Sequence, residues 1–241
     1  MGPDRRFRGT TDPEGNPTSL SSVSTRLPLF PLGTVLVPGL VMPLHIFEPR
    51  YQVLVRALIE LPEEAPKHFG VVAIRNGQEA GTDDLPDLYP VGCTAELREV
   101  TPYSDGRFDI VSVGHVRFRL SGVDPRAGTP YHTGLVDYLD ETDGSGDVAT
   151  LAERVALRFA AYRERLRVEQ SGVPTDPRVL SYLVAAAAVL DLPTRQALLE
   201  KVTTADRLRA ELELLRAEIR MLDAFHAIPA VELAKEQPSP N

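Results

Sequence analysis

The distribution of apolar and polar residues divides the chain into two parts. Up to about residue 140, short apolar runs are separated by turn residues, which predicts β-strands. From Asp147 onward, apolar residues recur every three or four positions, which predicts helices. We therefore expect an α+β protein with a β subdomain over residues 25–140, a linker over 141–146 and a helical subdomain over 147–226.

The two ends of the chain differ in composition from the rest. Residues 1–24 are rich in Pro, Gly, Ser, Thr and charged residues, and residues 227–241 turn polar after Val231 and Leu233. Segments with so few apolar side chains cannot offset the entropy that ordering costs. We expect a disordered arm over 1–24 and a flexible tail over 227–241.

Prolines break up the first predicted strands, at positions 28, 31, 38 and 43. Because proline lacks a backbone donor, these strands should be short, bent or at an edge, which suits a curved antiparallel barrel. A helix is predicted from Pro49, since proline is favoured at the first helical position. Its apolar face, which should cover one opening of the barrel, consists of Tyr51, Leu54, Val55, Leu58 and Ile59.

Capping residues predict where the later helices begin. Asp147 and Asp176 are suitable N-caps, Pro193 opens a short helix, and Thr203 with Asp206 resembles a capping box. The last helix could form a coiled-coil seam or dock on the other helices, and its short repeat favours docking. The residues of this repeat are Ala205, Leu208, Leu212, Leu215, Ile219 and Leu222.

Composition and charge narrow the classes of function. The net charge of -8 opposes a general role on nucleic acid, whose phosphates attract basic surfaces. We find no apolar run long enough for a signal peptide or a membrane span, and therefore expect a cytoplasmic protein without a membrane partner. Cys93, the single cysteine, excludes an intramolecular disulfide, and its apolar neighbours indicate a buried side chain.

Motifs of common catalytic sites are missing from the sequence. A Gly-Lys dipeptide does not occur, which excludes a Walker A loop, and the five histidines include no HExxH pair. The lysines, at positions 67, 201 and 235, do not lie in a context that resembles a serine-lysine protease. We therefore expect no catalytic residues, no cofactor, no metal ion and no enzymatic activity.

The segment LPLFPLGTVLVPGLVMPLHIFEPRY, residues 27–51, resembles the start of the amino-terminal domain of Lon proteases, above all in LPLFPL and PLHIFEPRY. The resemblance extends over about residues 26–225. Further elements that agree with this family are FGVVAIR at 69–75, the strand pair at 91–120, LPTRQALLE at 192–200 and ADRLRAELELL at 205–215.

The resemblance to this family implies both a fold and a function. The family's domain pairs a PUA-like pseudo-barrel with a helical part, here a C-terminal helical bundle, and binds unfolded or tagged proteins. Without the ATPase and protease, the chain resembles the free-standing bacterial form. We expect a non-catalytic protein-binding module, of which an adaptor that presents clients to a protease or chaperone is one form. The alternative is a PUA-like domain that binds a small molecule or, less in keeping with the charge, nucleic acid; the oligomeric state is not indicated.

The HIFEPRY element is expected to act on structure. The residues assigned to this motif are His45, Phe47, Glu48, Pro49, Arg50 and Tyr51. We expect the His45 ring to bond the backbone of its turn, Glu48 to favour the positive end of the helix, and Arg50 to pair with a nearby carboxylate.

The candidate residues for binding a protein partner lie just before this motif. They are Val35, Val37, Leu40, Val41 and Met42. These are more apolar side chains than a small barrel interior should hold, so we expect a subset to face a groove where an extended client adds a strand. The competing interpretation is that all five belong to the core.

Overall fold

The computed structural model describes residues 24–76, 87–168 and 172–226. The predicted arm and tail therefore lie outside the described residues, except for Ser24. The strands are β1 (Thr25–Leu32), β2 (Val41–Ile46), β3 (His68–Asn76), β4 (Asp87–Leu88), β5 (Val91–Pro102), β6 (Phe108–Val123) and β7 (Thr133–Tyr138). The helices are α1 (Pro49–Ile59), α2 (Val148–Arg165), α3 (Pro177–Ala187), α4 (Leu192–Leu199) and α5 (Thr204–His226).

The strands form one mainly antiparallel sheet. Its order is β1-β7-β6-β5-β3-β4, and β2 pairs with β6 outside this path. Strand β1 pairs with β7 through residues 25–28 and, in parallel, with β3 through residues 29–32. A tight turn at Gly106, which has φ of 89°, joins β5 to β6 as the Asp-Gly sequence predicts. Strands followed by helices confirm the predicted α+β class.

Helix α1 packs against the sheet as predicted. Tyr51, Leu54, Val55 and Leu58 are buried in the same apolar cluster as strand residues of β1, β2, β3, β5 and β6. The Tyr51 ring stacks on Phe30, with 3.9 Å between the centroids. Ile59 is 42% exposed, so the buried face ends before the last predicted residue.

The predicted capping residues bond the helix starts. Carboxylates of Asp147 and Asp176 accept hydrogen bonds from the backbone nitrogens three residues later, each at 3.0 Å. Thr203 Oγ1 accepts from the backbone nitrogen of Asp206 at 3.1 Å. Helix α4 begins at Leu192, one residue before the predicted proline, because Asp191 is its N-cap.

Helix α5 docks on the other helices. Leu208, Leu212, Leu215 and Ile219 are buried in a cluster shared with α2 and α3, which confirms the predicted docking. The buried face of α5 is wider than its apolar repeat, because the side chains of Arg207 and Glu211 are also buried. A further apolar cluster joins the helices to the strands; its buried members are Val35, Val37, Ala73, Val91, Tyr182, Ala185, Leu198 and Leu199.

Within the described ranges, we find no helix with the length and apolar character needed to cross a membrane. Cys93 is fully buried, as the sequence predicts. Burial raises the pKa of its thiol to about 12. The thiol is therefore protonated at neutral pH and is not a reactive nucleophile.

Candidate functional site

Strand β2 lies at an edge of the sheet formed by the described residues. In the part of the chain that the structure describes, β2 pairs with β6 alone. Pro43 lies in the middle of β2, and a residue without a backbone donor is tolerated at such an edge. Met42 and Ile46 point into the core, whereas Val41 and His45 are exposed. The exposed side of β2 therefore has an apolar side chain, Val41, near its start and a polar one, His45, near its end.

A cavity of about 140 Å³ lies at the beginning of β2, between the preceding loop and α3. We call it the interdomain cavity because its lining residues come from both of the subdomains that the sequence predicts. It is lined by Val37, Pro38, Gly39, Leu40, Pro174, Val179, Tyr182, Leu183 and Ala186. With Val179 52% exposed beside it, the interdomain cavity joins an accessible apolar surface.

A second cavity, of about 200 Å³, lies at the end of β2. We call it the junction cavity, because β1, β2 and the start of α1 meet there. It is lined by Phe30, Pro31, Leu32, Leu44, His45, Ile46, Phe47, Glu48 and Tyr51. Phe47 is 57% exposed and gives this end of the edge an aromatic surface.

The structure divides the candidate partner-binding residues between core and surface. Val35, Val37 and Met42 are buried, with at most 8% of their surface exposed, whereas Val41 is 57% exposed. Leu40 is partly buried and packs on two of the apolar clusters. Partner binding by these residues stays a prediction. Of the five, only Leu40 and Val41 are accessible at the surface, and Val37 lines the interdomain cavity.

The charged pair of the HIFEPRY element forms at the start of α1. Glu48 is the N-cap residue, and its carboxylate accepts hydrogen bonds from Arg50 Nε at 3.0 Å and Arg50 Nη2 at 2.8 Å. The Arg50 guanidinium also lies 4.9 Å from the centre of the Tyr51 ring. Pro49 occupies the predicted first turn. These contacts fix the strand-to-helix junction.

The predicted bond of His45 is wrong. Its Nδ1 lies 2.6 Å from Asp109 Oδ1, because the β2–β6 register places the two residues opposite each other. The Tyr103 hydroxyl donates to the other Asp109 oxygen at 2.5 Å. This bond lowers the pKa of Asp109 most, and the bond to His45 is the second cause. His45, Asp109 and Tyr103 thus form an exposed polar group beside the junction cavity.

Replacing Arg50 by alanine should act on stability. We expect the free energy of unfolding to fall by roughly 1 kcal/mol, because the ion pair and the ring contact are both lost. Thermal unfolding should show a melting temperature lower by about 2–4 °C. Arg98→Ala, which removes the more exposed Arg98–Glu96 pair, is the matched control. An unchanged melting temperature with abolished partner binding would instead place Arg50 in the binding surface.

A buried charged network joins the strands to the helices. Glu141 Oε1 accepts from Arg117 Nε at 2.5 Å and from the Tyr182 hydroxyl at 2.6 Å. Arg117 Nη1 also donates to the backbone oxygens of Leu199 and Lys201, at 2.8 and 2.6 Å. Arg207 Nη2 lies 3.6 Å from Glu141 Oε2. The network therefore ties β6, α3, the end of α4 and α5 to one carboxylate.

Glu211 lies one turn beyond Arg207 and is fully buried. Neither of its carboxylate oxygens has a hydrogen-bond partner among the described residues. Burial raises the pKa of Glu211 well above its ordinary value, against the opposing effect of Arg207. The carboxyl group is therefore most stable in its protonated form.

Glu211→Gln should stabilise the protein at neutral pH. Because the folded-state pKa is raised, the folded chain binds the proton more tightly, and stability falls as the pH rises from the unfolded value of about 4.3 through the folded one. The glutamine variant should lack this loss, so its melting temperature should increasingly exceed the parent's as the pH rises. Glu213→Gln, at an exposed position of the same helix, should show no such trend. Parallel melting curves for parent and Glu211→Gln across this pH range would contradict the assignment.

Two solved structures that resemble this one are amino-terminal domains of Lon proteins. A Lon N-terminal domain protein from Xanthomonas campestris is 26% identical, with a TM-score of 0.56, and the match covers 78% of this chain and 98% of that one. The N-terminal domain of the Mycobacterium avium complex Lon protease shares the fold with a TM-score of 0.61, at 16% identity, over 80% of this chain and 98% of that chain.

Two relatives in sequence are Lon proteases. The Lon protease of Azorhizobium caulinodans is 26% identical over 221 residues, which are 88% of this chain and 25% of that protein. Lon protease 1 of Herpetosiphon aurantiacus is 27% identical over 225 residues, 88% of this chain and 26% of that protein. The chain thus spans about a quarter of the length of these relatives. The family model of the ATP-dependent protease La (LON) substrate-binding domain matches residues 26–217, and the chain therefore belongs to this family.

Proposed function

We propose that the protein binds extended, unfolded polypeptides without changing them chemically, and that the edge of β2 is the binding site. One observation carries the proposal: among the described residues, one edge of β2 has no pairing strand, and a largely apolar cavity lies at each of its ends. An extended client could add main-chain hydrogen bonds to this edge and insert side chains into the cavities. Membership of a substrate-binding family supports a client that is itself a protein.

The dimensions of the site suit single side chains. The two cavities, of about 140 and 200 Å³, are smaller than typical small-molecule pockets; those measure roughly 300–1,000 Å³. From Leu40 to Ile46 the strand advances by about 20 Å, at ~3.3 Å per residue. Leu40 and Ile46 are six residues apart. Because side chains of a strand alternate between its two faces, two client side chains six residues apart would lie on the same face of the client, one near each cavity. At this edge, these dimensions favour a polypeptide over the alternative small-molecule ligand.

We also propose the finer architecture that the family implies. The pairing of β1 with both β7 and β3 supports a PUA-like pseudo-barrel, and the shared core of α2, α3 and α5 supports a helical bundle. In this arrangement the interdomain cavity would lie at the interface between the pseudo-barrel and the helical bundle. An adaptor that presents clients to a protease or chaperone would need such a surface to hold them reversibly.

Filling the cavities tests the proposed site. We expect Ala186→Leu to fill the interdomain cavity and Leu44→Phe to fill the junction cavity, because both residues line them and are only partly buried. Each variant should weaken the binding of a fluorescently labelled, reduced and alkylated protein by at least about tenfold, since one apolar anchor is lost. Fluorescence anisotropy measures the dissociation constant.

The control for these variants is Leu157→Phe, because Leu157 is 74% exposed on α2 and lines neither cavity. Its affinity should equal that of the parent. The proposed function is contradicted if the parent does not bind the unfolded protein. The proposed site is contradicted if both cavity-filling variants bind it as tightly as the parent does.

A further inference from the structure

Tyr182 connects the interdomain cavity to the buried charged network. Its side chain lines the cavity from α3, and only 3% of its surface is exposed. The hydroxyl group donates to Glu141 Oε1 at 2.6 Å, on the side of the network. Tyr182 therefore belongs both to the candidate binding surface and to the contacts that hold the helices on the sheet.

The ring of Tyr182 is held at both its face and its hydroxyl. The Arg207 guanidinium carbon lies 3.8 Å from the ring centre, and Arg207 Nε is itself fixed by a 2.8 Å hydrogen bond to Ser181 Oγ. Glu141 is fixed in turn by Arg117 Nε at 2.5 Å. Because Arg117 and Arg207 are buried with at most 1% exposure, water has little access to their guanidinium groups, which strengthens these contacts. The ring cannot swing away without breaking several buried contacts.

We infer that Tyr182 is a specificity-determining residue that limits the size of the client side chain in the interdomain cavity. This inference rests on the proposed function. A fixed wall keeps the cavity at about 140 Å³. An apolar protein cavity of about 150 Å³ holds a benzene molecule, so this one admits a leucine or phenylalanine side chain and excludes the larger indole of tryptophan.

The test uses three labelled peptides and one conservative variant. The first peptide is a short Ser/Thr sequence with two leucines six positions apart, to match the two cavities. The other two peptides replace one or the other leucine by tryptophan, because the direction of the bound chain decides which leucine enters the interdomain cavity. Tyr182→Phe keeps the ring and removes the hydroxyl, so it releases the wall from Glu141 with little loss of packing.

We expect the parent to bind one tryptophan peptide at least about tenfold more weakly than the leucine peptide, the discrimination of a rigid apolar pocket. In Tyr182→Phe this ratio should fall by at least half, because the ring can move aside. Tyr162→Phe is the matched control: Tyr162 is also buried, and its hydroxyl accepts a 3.1 Å bond from the backbone of Val189, away from the cavity. The control should lose stability and keep the parent's ratio.

A ratio of dissociation constants separates specificity from stability, because partial unfolding weakens the binding of all peptides equally. A parent that binds the leucine peptide but does not discriminate, or a Tyr182→Phe variant with the parent's ratio, overturns the inference and leaves the proposed function standing. A parent that binds neither these peptides nor an unfolded protein overturns the proposed function itself.

Discussion

Glu141→Ala should lower the free energy of unfolding by about 3–5 kcal/mol, because it leaves buried positive charges without their partner. Arg117 and Arg207 both have guanidinium groups near this carboxylate, at 2.5 and 3.6 Å, and both side chains are at most 1% exposed. Removal of the carboxylate leaves the two positive charges inside the protein, because the arginine side chains themselves stay buried. For a chain of this size the melting temperature should fall by roughly 6–20 °C.

Two control variants show whether the contacts of Glu141 with the buried arginines cause this effect. Glu141→Gln keeps an oxygen that can accept from Arg117 and Tyr182, and should therefore be less destabilising than alanine. Asp223→Ala removes the partner of Arg165 in an exposed pair, where the loss should stay below about 1 kcal/mol. Equal losses for Glu141→Ala and Asp223→Ala would show that the network does not hold the two parts together.

Gly114→Ala should displace the loop before β2, which forms one wall of the interdomain cavity, because Gly114 lies in β6 next to this loop. A Cβ atom at Gly114 would lie 2.1 Å from the carbonyl oxygen of Val37, which is backbone and cannot rotate away. The same glycine bonds the loop before β2, through Gly39 N at 2.8 Å and Leu40 O at 2.9 Å. We expect a loss of about 1–3 kcal/mol, the usual cost of overpacking.

The displaced loop should also weaken the binding of an unfolded client. Gly122→Ala is the matched control, because Gly122 lies on the same strand and its added Cβ would meet nothing within 4 Å. Thermal unfolding and anisotropy on both variants measure the two effects. Client binding at the parent's affinity in Gly114→Ala, with reduced stability, would show that the loop before β2 does not contribute to the site.

Local patterns predicted most of the elements. Proline at position 49 and the aspartates at 147 and 176 have chemical effects that act within one turn, so the starts of α1, α2 and α3 follow from the sequence. Pro43 indicated a strand that is short, bent or at an edge, since the missing donor is a property of the residue itself, and β2 lies at an edge of the described sheet.

The parts that depend on contacts between distant residues were not predicted. His45 bonds Asp109 because of the β2–β6 register, which no local pattern specifies. Arg117 and Arg207 are buried next to Glu141. Glu141 begins a polar stretch, and the composition of this stretch predicted a linker. The sequence contained one indication of this network: Arg117 lies among the alternating apolar residues of β6. An arginine that faces the core needs a buried partner.

The sequence proposes a region for the candidate site, and its location there stays a prediction. The sequence located apolar residues near β2, and the structure moves the accessible surface to Leu40, Val41 and the two cavities. Residues of α3 such as Tyr182 and Ala186 could not be assigned to the site, because their place beside the loop before β2 arises only when the helices dock on the strands.

Hydrogen exchange with and without an unfolded client tests the central claim most directly, because it reports main-chain protection residue by residue. The reduced and alkylated protein described above serves as the client, and Ala186→Leu serves as the variant with one cavity filled. We predict slower exchange in the parent across residues 34–48, with much weaker protection in the variant at the same client concentration. Protection confined to the helices, with residues 34–43 unchanged, would contradict the assignment of the β2 edge as the client-binding site.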